Sequence, residues 1–167
     1  MIATRMGLSS LIDFQAIVET LLLRQYGYFR IAKNWAILDI GAGIGDFSIF
    51  ARLHGAGKVI AYECDLFSIP ALNRNAARYG FDVCVTRVTS LASLGDADLI
   101  KIDIEGGEYN LLQHLHYPRL IMEYHTPYGD PESLKQVLVA NEYRVKTYPN
   151  KFRSDLGMVV AWKPELF

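Results

Sequence analysis

The chain has 167 residues, with 17 Lys+Arg against 18 Asp+Glu and a formal net charge of -1, which excludes a polybasic or histone-like binder. Hydrophobic residues make up 51% and charged residues 21%, too apolar for a disordered chain, and the length predicts one domain able to bury a core without staples. Cys64 and Cys84 are the two cysteines, and they belong to no CxxC pair or zinc-ligand cluster, so no disulfide framework or metal ligand set is assigned. The first residues lack the pattern of a signal peptide, and no stretch approaches the ~18 apolar residues of a membrane span. A cytoplasmic protein without a membrane partner is expected.

In chain order, Leu11, Phe14, Ile17, Val18, Leu21 and Leu22 fall on one face at helical spacing and predict an N-terminal helix over 9–25. Trp35 to Ile40 is an apolar run of strand length that stops at Gly41-Ala-Gly-Ile-Gly45, and helical spacing follows from Asp46 to His54. The alternation continues with a strand at 58–62, a helix at 67–79 closed by Gly80, and a strand at 81–85. Further strands are expected at 97–103 and 119–124, with a short helix at 108–116 between them and a last helix at 132–141 after Pro131. The segments 143–148 and 157–162 read as an antiparallel pair at one edge. The fold class is therefore α/β, with a mainly parallel seven-stranded sheet, an antiparallel edge and an added N-terminal helix. Residues 1–167 are read as a single domain: an N-terminal helical segment at 1–30, a cofactor-binding core at 35–125, and a C-terminal helix and hairpin at 126–167.

The strongest constellation is Asp39-Ile-Gly41-Ala42-Gly43-Ile-Gly45 between a strand and a helix, with Glu63 ending the next strand, 22 positions after Gly41. Glycines let the backbone bend sharply and come close to a ligand. A carboxylate at that separation is placed to accept the two ribose hydroxyls of a nucleoside. The dinucleotide fingerprint wants a third glycine at position 46, where Asp46 stands and would face a pyrophosphate. A phosphate loop is excluded because no Gly-Lys-Ser/Thr follows. The loop suits instead a ligand with a positive sulfonium and an amino-acid tail.

A second cluster is Asp103, Glu105 and Glu108 with Glu123 and His125. If the fourth strand stays extended, Asp103 and Glu105 share a face, as do Glu123 and His125. Both pairs would end strands at the carboxyl edge, where open parallel sheets bind ligands. The bland alternatives are first-turn dipole compensation for Glu108 and a buried ion pair between Glu123 and Lys101. His54, His114 and His116 read as surface or structural.

The segments Leu38-Asp-Ile-Gly-Ala-Gly-Ile-Gly45, Ala61-Tyr-Glu63, Leu99-Ile-Lys-Ile-Asp-Ile-Glu-Gly-Gly-Glu108 and Leu120-Ile-Met-Glu123 together resemble the FkbM-type family of class I S-adenosylmethionine-dependent methyltransferases, over roughly residues 35–125. The resemblance implies a Rossmann-like fold with S-adenosylmethionine as cofactor, Asp39, Gly41 and Gly43 along its methionine part, and Glu63 on its ribose. The set is completed by Ala42, Gly45, Asp103 and Cys64, the last standing where family members usually carry proline. The implied acceptor is a hydroxyl on a sugar or small metabolite, with His125, Asp103 or Glu105 in the catalytic role. General-base help to a hydroxyl is typically worth about 10² to 10⁴ in rate. So short a chain leaves the acceptor to be bound by the N-terminal helix, by the 125–130 loop, or by a second subunit of a homodimer.

Alternatives of other classes are an RNA methyltransferase using Arg144, Lys146, Lys151 and Arg153 interleaved with Tyr143, Tyr148 and Phe152, a non-catalytic cofactor-binding module, and an NAD-dependent oxidoreductase. The near-neutral charge and the absence of an Asp/Asn-Pro-Pro-aromatic signature or a Pro-Cys nucleophile disfavour nucleic acid.

Overall fold

The computed structural model describes residues 28–113, 115–150 and 153–166; the helix expected over 9–25, His114, Lys151 and Phe152 lie outside them. Two compact units divide at Arg87/Val88. No described helix is long and apolar enough to cross a membrane.

The first unit contains β1 (Ala36–Ile40), α1 (Asp46–Leu53), β2 (Lys58–Glu63), α2 (Ile69–Tyr79) and β3 (Asp82–Val85). Its strands are parallel in the order β3-β2-β1, with Leu38 opposite Ile60 and Tyr62 opposite Cys84. Parallel neighbours need a crossover, and α1 and α2 supply one each. Ile37, Ile40, Phe47, Ile49, Val59, Ala61 and Leu72 are almost wholly buried, which is why β1 reads as a continuous apolar run rather than an alternating one. The Arg52 guanidinium donates to the carbonyls of Ala56, Gly57 and Tyr79, tying the ends of both helices to the same corner.

The second unit contains β4 (Leu99–Ile102), α3 (Glu108–Leu111), β5 (Arg119–His125), α4 (Pro131–Ala140), β6 (Arg144–Pro149) and β7 (Leu156–Trp162). Its order is β4-β5-β7-β6, with β4 and β5 parallel and the other pairings antiparallel. The expected hairpin is present, but only β6 is an edge; β7 lies between β5 and β6 and is buried along nearly its whole length. The Asp130 carboxylate caps α4 by accepting from Glu132 N at 3.1 Å, with Pro131 in the first turn, as the sequence signals require. Tyr117, fully buried, accepts at its carbonyl from the Tyr143 hydroxyl at 2.6 Å, and burial pushes the Tyr143 phenol up to about 12.

Two expectations need correction. The helix expected over 108–116 stops at Leu111, because Leu111 and Leu112 are both buried and the chain must then deliver Tyr117 to the core ahead of Pro118, a residue that disfavours helix before it. The fourth strand, expected to run to 103, ends at Ile102, and Glu105 adopts a left-handed backbone with φ 54.

Candidate functional site

In the first unit the loop between β1 and α1 is built by backbone geometry. Gly41, Gly43 and Gly45 have φ of 72, 55 and 85, values that side chains adopt at a cost. Gly41 N and Ala42 N both donate to the Tyr62 carbonyl at 3.0 Å, which locks the turn to the end of β2. Asn75 on α2 holds the other side, its Nδ2 donating to Ile44 O at 2.8 Å. A Cβ on Gly43 would meet nothing within 4 Å, whereas one on Gly45 would lie 2.8 Å from both Leu72 Cδ1 and Phe81 Cζ. One glycine therefore faces open space and the other the core.

Glu63 is 8% exposed and accepts three backbone donors: Gly43 N on Oε2 at 2.6 Å, and Cys64 N and Asp65 N on Oε1 at 2.6 and 2.7 Å. The predicted ribose acceptor thus also braces the glycine loop; Oε1 already accepts two donors, and Oε2, with one, keeps room for another. Cys64 is exposed, and its N–H serves to orient Glu63. Asp39 is fully buried and accepts the Ser48 hydroxyl at 2.7 Å. Through that bond its carboxylate joins the end of β1 to α1. Ser48 was not singled out in the sequence, since a serine inside an amphipathic helix carries no signal of its own.

In the second unit Asp103, Glu105, Glu108, Glu123 and His125 come together as predicted, but not for the predicted reason. Because β4 ends at Ile102, the two-residue period cannot place Asp103 and Glu105 on one face; the left-handed turn at Glu105 brings its carboxylate to 3.3 Å from His125 Nε2. Asp103 Oδ2 lies 3.6 Å from Lys101 Nζ. Glu108 is fully buried: Oε1 accepts from Ile104 N at 2.9 Å and lies 3.6 Å from His125 Nδ1. The two flanking loops interlock, with the Tyr128 ring where a Gly106 side chain would be, and the Tyr109 ring over Gly129, whose carbonyl accepts the Tyr109 hydroxyl at 2.6 Å. This reciprocal packing is tertiary, and no sequence spacing announces it.

The Glu123 carboxyl is pushed up to about 8, first by burial, then by the neighbouring Asp103 charge, while Lys101 pulls in the opposite sense. A carboxyl raised above its unfolded value contributes stability that is complete below about pH 4.5 and is lost as pH rises through about 8. Glu123→Gln, neutral at every pH, is expected to flatten that decline by on the order of 2 kcal/mol. Thermal unfolding of both proteins from pH 5 to 8 in metal-free buffer checks this; parallel curves would refute it.

Two of the four basic residues of the hairpin have partners of their own. Lys146 lies over the Trp162 ring at 5.8 Å, Arg153 pairs with Asp155 at 2.6 Å, and Tyr143 is buried. His116 stacks on Tyr117, and His54 Nδ1 lies 2.8 Å from Phe50 O, structural placements that match their reading.

No protein-family model matches the chain. A ribosomal protein L11 methyltransferase from Symbiobacterium thermophilum is 33% identical over 69 residues, covering 41% of this chain and 23% of that relative. The chain therefore spans about a quarter of the length of that protein. Among solved structures, ribosomal protein L11 methylase from Lactobacillus delbrueckii subsp. bulgaricus is similar with TM-score 0.62 and 20% identity, over 97% of this chain and 79% of that one. An S-adenosylmethionine-dependent methyltransferase from Mesorhizobium loti gives TM-score 0.67 and 13% identity, over 87% and 98%. The fold of this chain is the Rossmann-like fold of the class I S-adenosylmethionine-dependent methyltransferases.

Proposed function

We propose that the chain is an S-adenosylmethionine-dependent methyltransferase, and that its acceptor is a hydroxyl on a sugar or small metabolite, as in the FkbM-type family its sequence resembles. The observation that carries the cofactor reading is the Glu63 carboxylate bonded to Gly43 N beside a glycine whose Cβ position is empty: an acidic acceptor fixed at the rim of a backbone cradle. Fold-level likeness raises the prior for this chemistry without carrying it. The sulfonium is already activated, so the chain's task is in-line placement of the acceptor and removal of one proton. The methyl group passes to the hydroxyl oxygen, the hydroxyl proton is lost to a base, and S-adenosylhomocysteine leaves.

The experiment is calorimetric titration with S-adenosylhomocysteine, with NAD as control, followed by labelled methyl transfer to a hydroxyl-acceptor pool and to ribosomal protein L11, the acceptor in the relatives' names. Binding of S-adenosylhomocysteine alone, with label in the hydroxyl pool, is expected. Binding of NAD overturns the cofactor reading, and label in the protein alone overturns the acceptor.

A further inference from the structure

Asp103, Glu105 and His125 each offer one ligand atom, and the three atoms lie within 4.8 Å of one another. Donors about 2.1 Å from one cation stand about 3.0 Å apart when adjacent and about 4.2 Å when opposite, so the 3.3 Å between His125 Nε2 and Glu105 Oε2 is close to an adjacent pair. Oxygen donors gather on the same side: the carboxyl groups of Glu105, Glu108 and Glu123 lie 3.3 to 3.9 Å from the ring nitrogens of His125, with Asp103 beside them.

The independent observation is the state of the histidine. His125 is 6% exposed and its Nε2 is turned towards the carboxyl groups of Glu105 and Glu123 at 3.3 and 3.9 Å, while its Nδ1, without a hydrogen bond, faces Glu108 at 3.6 Å. Asp103 Oδ1 is likewise buried without a hydrogen bond. Buried polar atoms are nearly always satisfied, and an ion-binding role is among the recognised reasons when protein partners do not satisfy them.

We infer that Asp103, Glu105 and His125 form a binding site for a first-row divalent cation of the Mn²⁺ type. One imidazole nitrogen with two carboxylates is a mixed donor set, which suits Mn²⁺ or Zn²⁺ better than Ca²⁺, a cation that prefers all-oxygen cages. Three protein donors leave coordination positions open to water or to oxygens of a ligand. All three residues belong to the second unit, so the inference stands apart from the cofactor reading.

The full chain, stripped with a chelator, would be titrated with Mn²⁺ alone while the electron paramagnetic resonance signal of the free ion is followed. One ion per chain is expected, bound at least about tenfold more tightly than Ca²⁺ in competition, and weakened at least about tenfold by His125→Gln, Asp103→Asn and Glu105→Gln. Glu105 is largely exposed, so Glu105→Gln keeps the fold and decides the matter if the buried variants misfold. No Mn²⁺ uptake, equal uptake of Ca²⁺, or uptake unchanged in Glu105→Gln overturns the site.

Discussion

Glu63→Ala is expected to weaken S-adenosylhomocysteine binding by about a hundredfold, or about 2.7 kcal/mol. Two losses combine. The charged acceptor for the ribose hydroxyls disappears, and hydrogen bonds to charged groups contribute roughly 1.5 to 3 kcal/mol. The donors of Gly43, Cys64 and Asp65, which the carboxylate now gathers at 2.6 to 2.7 Å, also lose their common acceptor, so the loop is no longer preorganised. Glu63→Gln keeps an acceptor oxygen but not the charge, and should fall between the two. Calorimetry on the three proteins, with circular dichroism to establish folding, checks the order; equal affinities would remove Glu63 from the cofactor site.

The largest stability effect should come from Gly45→Ala. At φ 85 a side chain costs about 1 to 2 kcal/mol, and the new methyl would lie 2.8 Å from Leu72 and Phe81, both core residues, adding an overpacking cost of about 1 to 3 kcal/mol. A loss of about 3 kcal/mol lowers the Tm of a chain this size by roughly 10 °C. Gly43→Ala is the contrast: it shares the left-handed backbone but has nothing within 4 Å, so about 1 kcal/mol is expected, together with a marked loss of cofactor binding as the methyl enters the cradle. Thermal melts and titrations on both variants separate the two roles. If Gly45→Ala melts with the parent, the packing against Leu72 and Phe81 is not what holds this loop.

The division between what sequence revealed and what it concealed follows the range of the interactions. β1, the glycine loop and α1 were legible because each depends on neighbours in the chain: apolar runs, glycines and helical spacing act over a few residues. Glu63 was legible because the strand-to-strand repeat fixes its position. Asp39 was recognised, but its partner Ser48 and its complete burial belong to packing. The acidic cluster was found through an argument about strand period that does not apply beyond Ile102; its members meet because Glu105 takes a left-handed turn, which a non-glycine residue does not advertise. The early end of α3 and the insertion of β7 between β5 and β6 were set by where Tyr117 and the β7 side chains had to be buried.

The exchange of rings between the two loops of the second unit has a consequence for how such a site can be remodelled. With Tyr128 seated over Gly106 and Tyr109 over Gly129, each loop supplies the lid for the bare backbone of the other. A change of shape in one removes a covering ring from its neighbour, and a side chain added at either glycine collides with the opposite tyrosine. The segments 103–109 and 125–130 are therefore expected to tolerate change only as a pair. A graft that carries one of them alone into another scaffold transfers half of a mutual clasp, and directed evolution should reach new specificities here through paired substitutions rather than single ones.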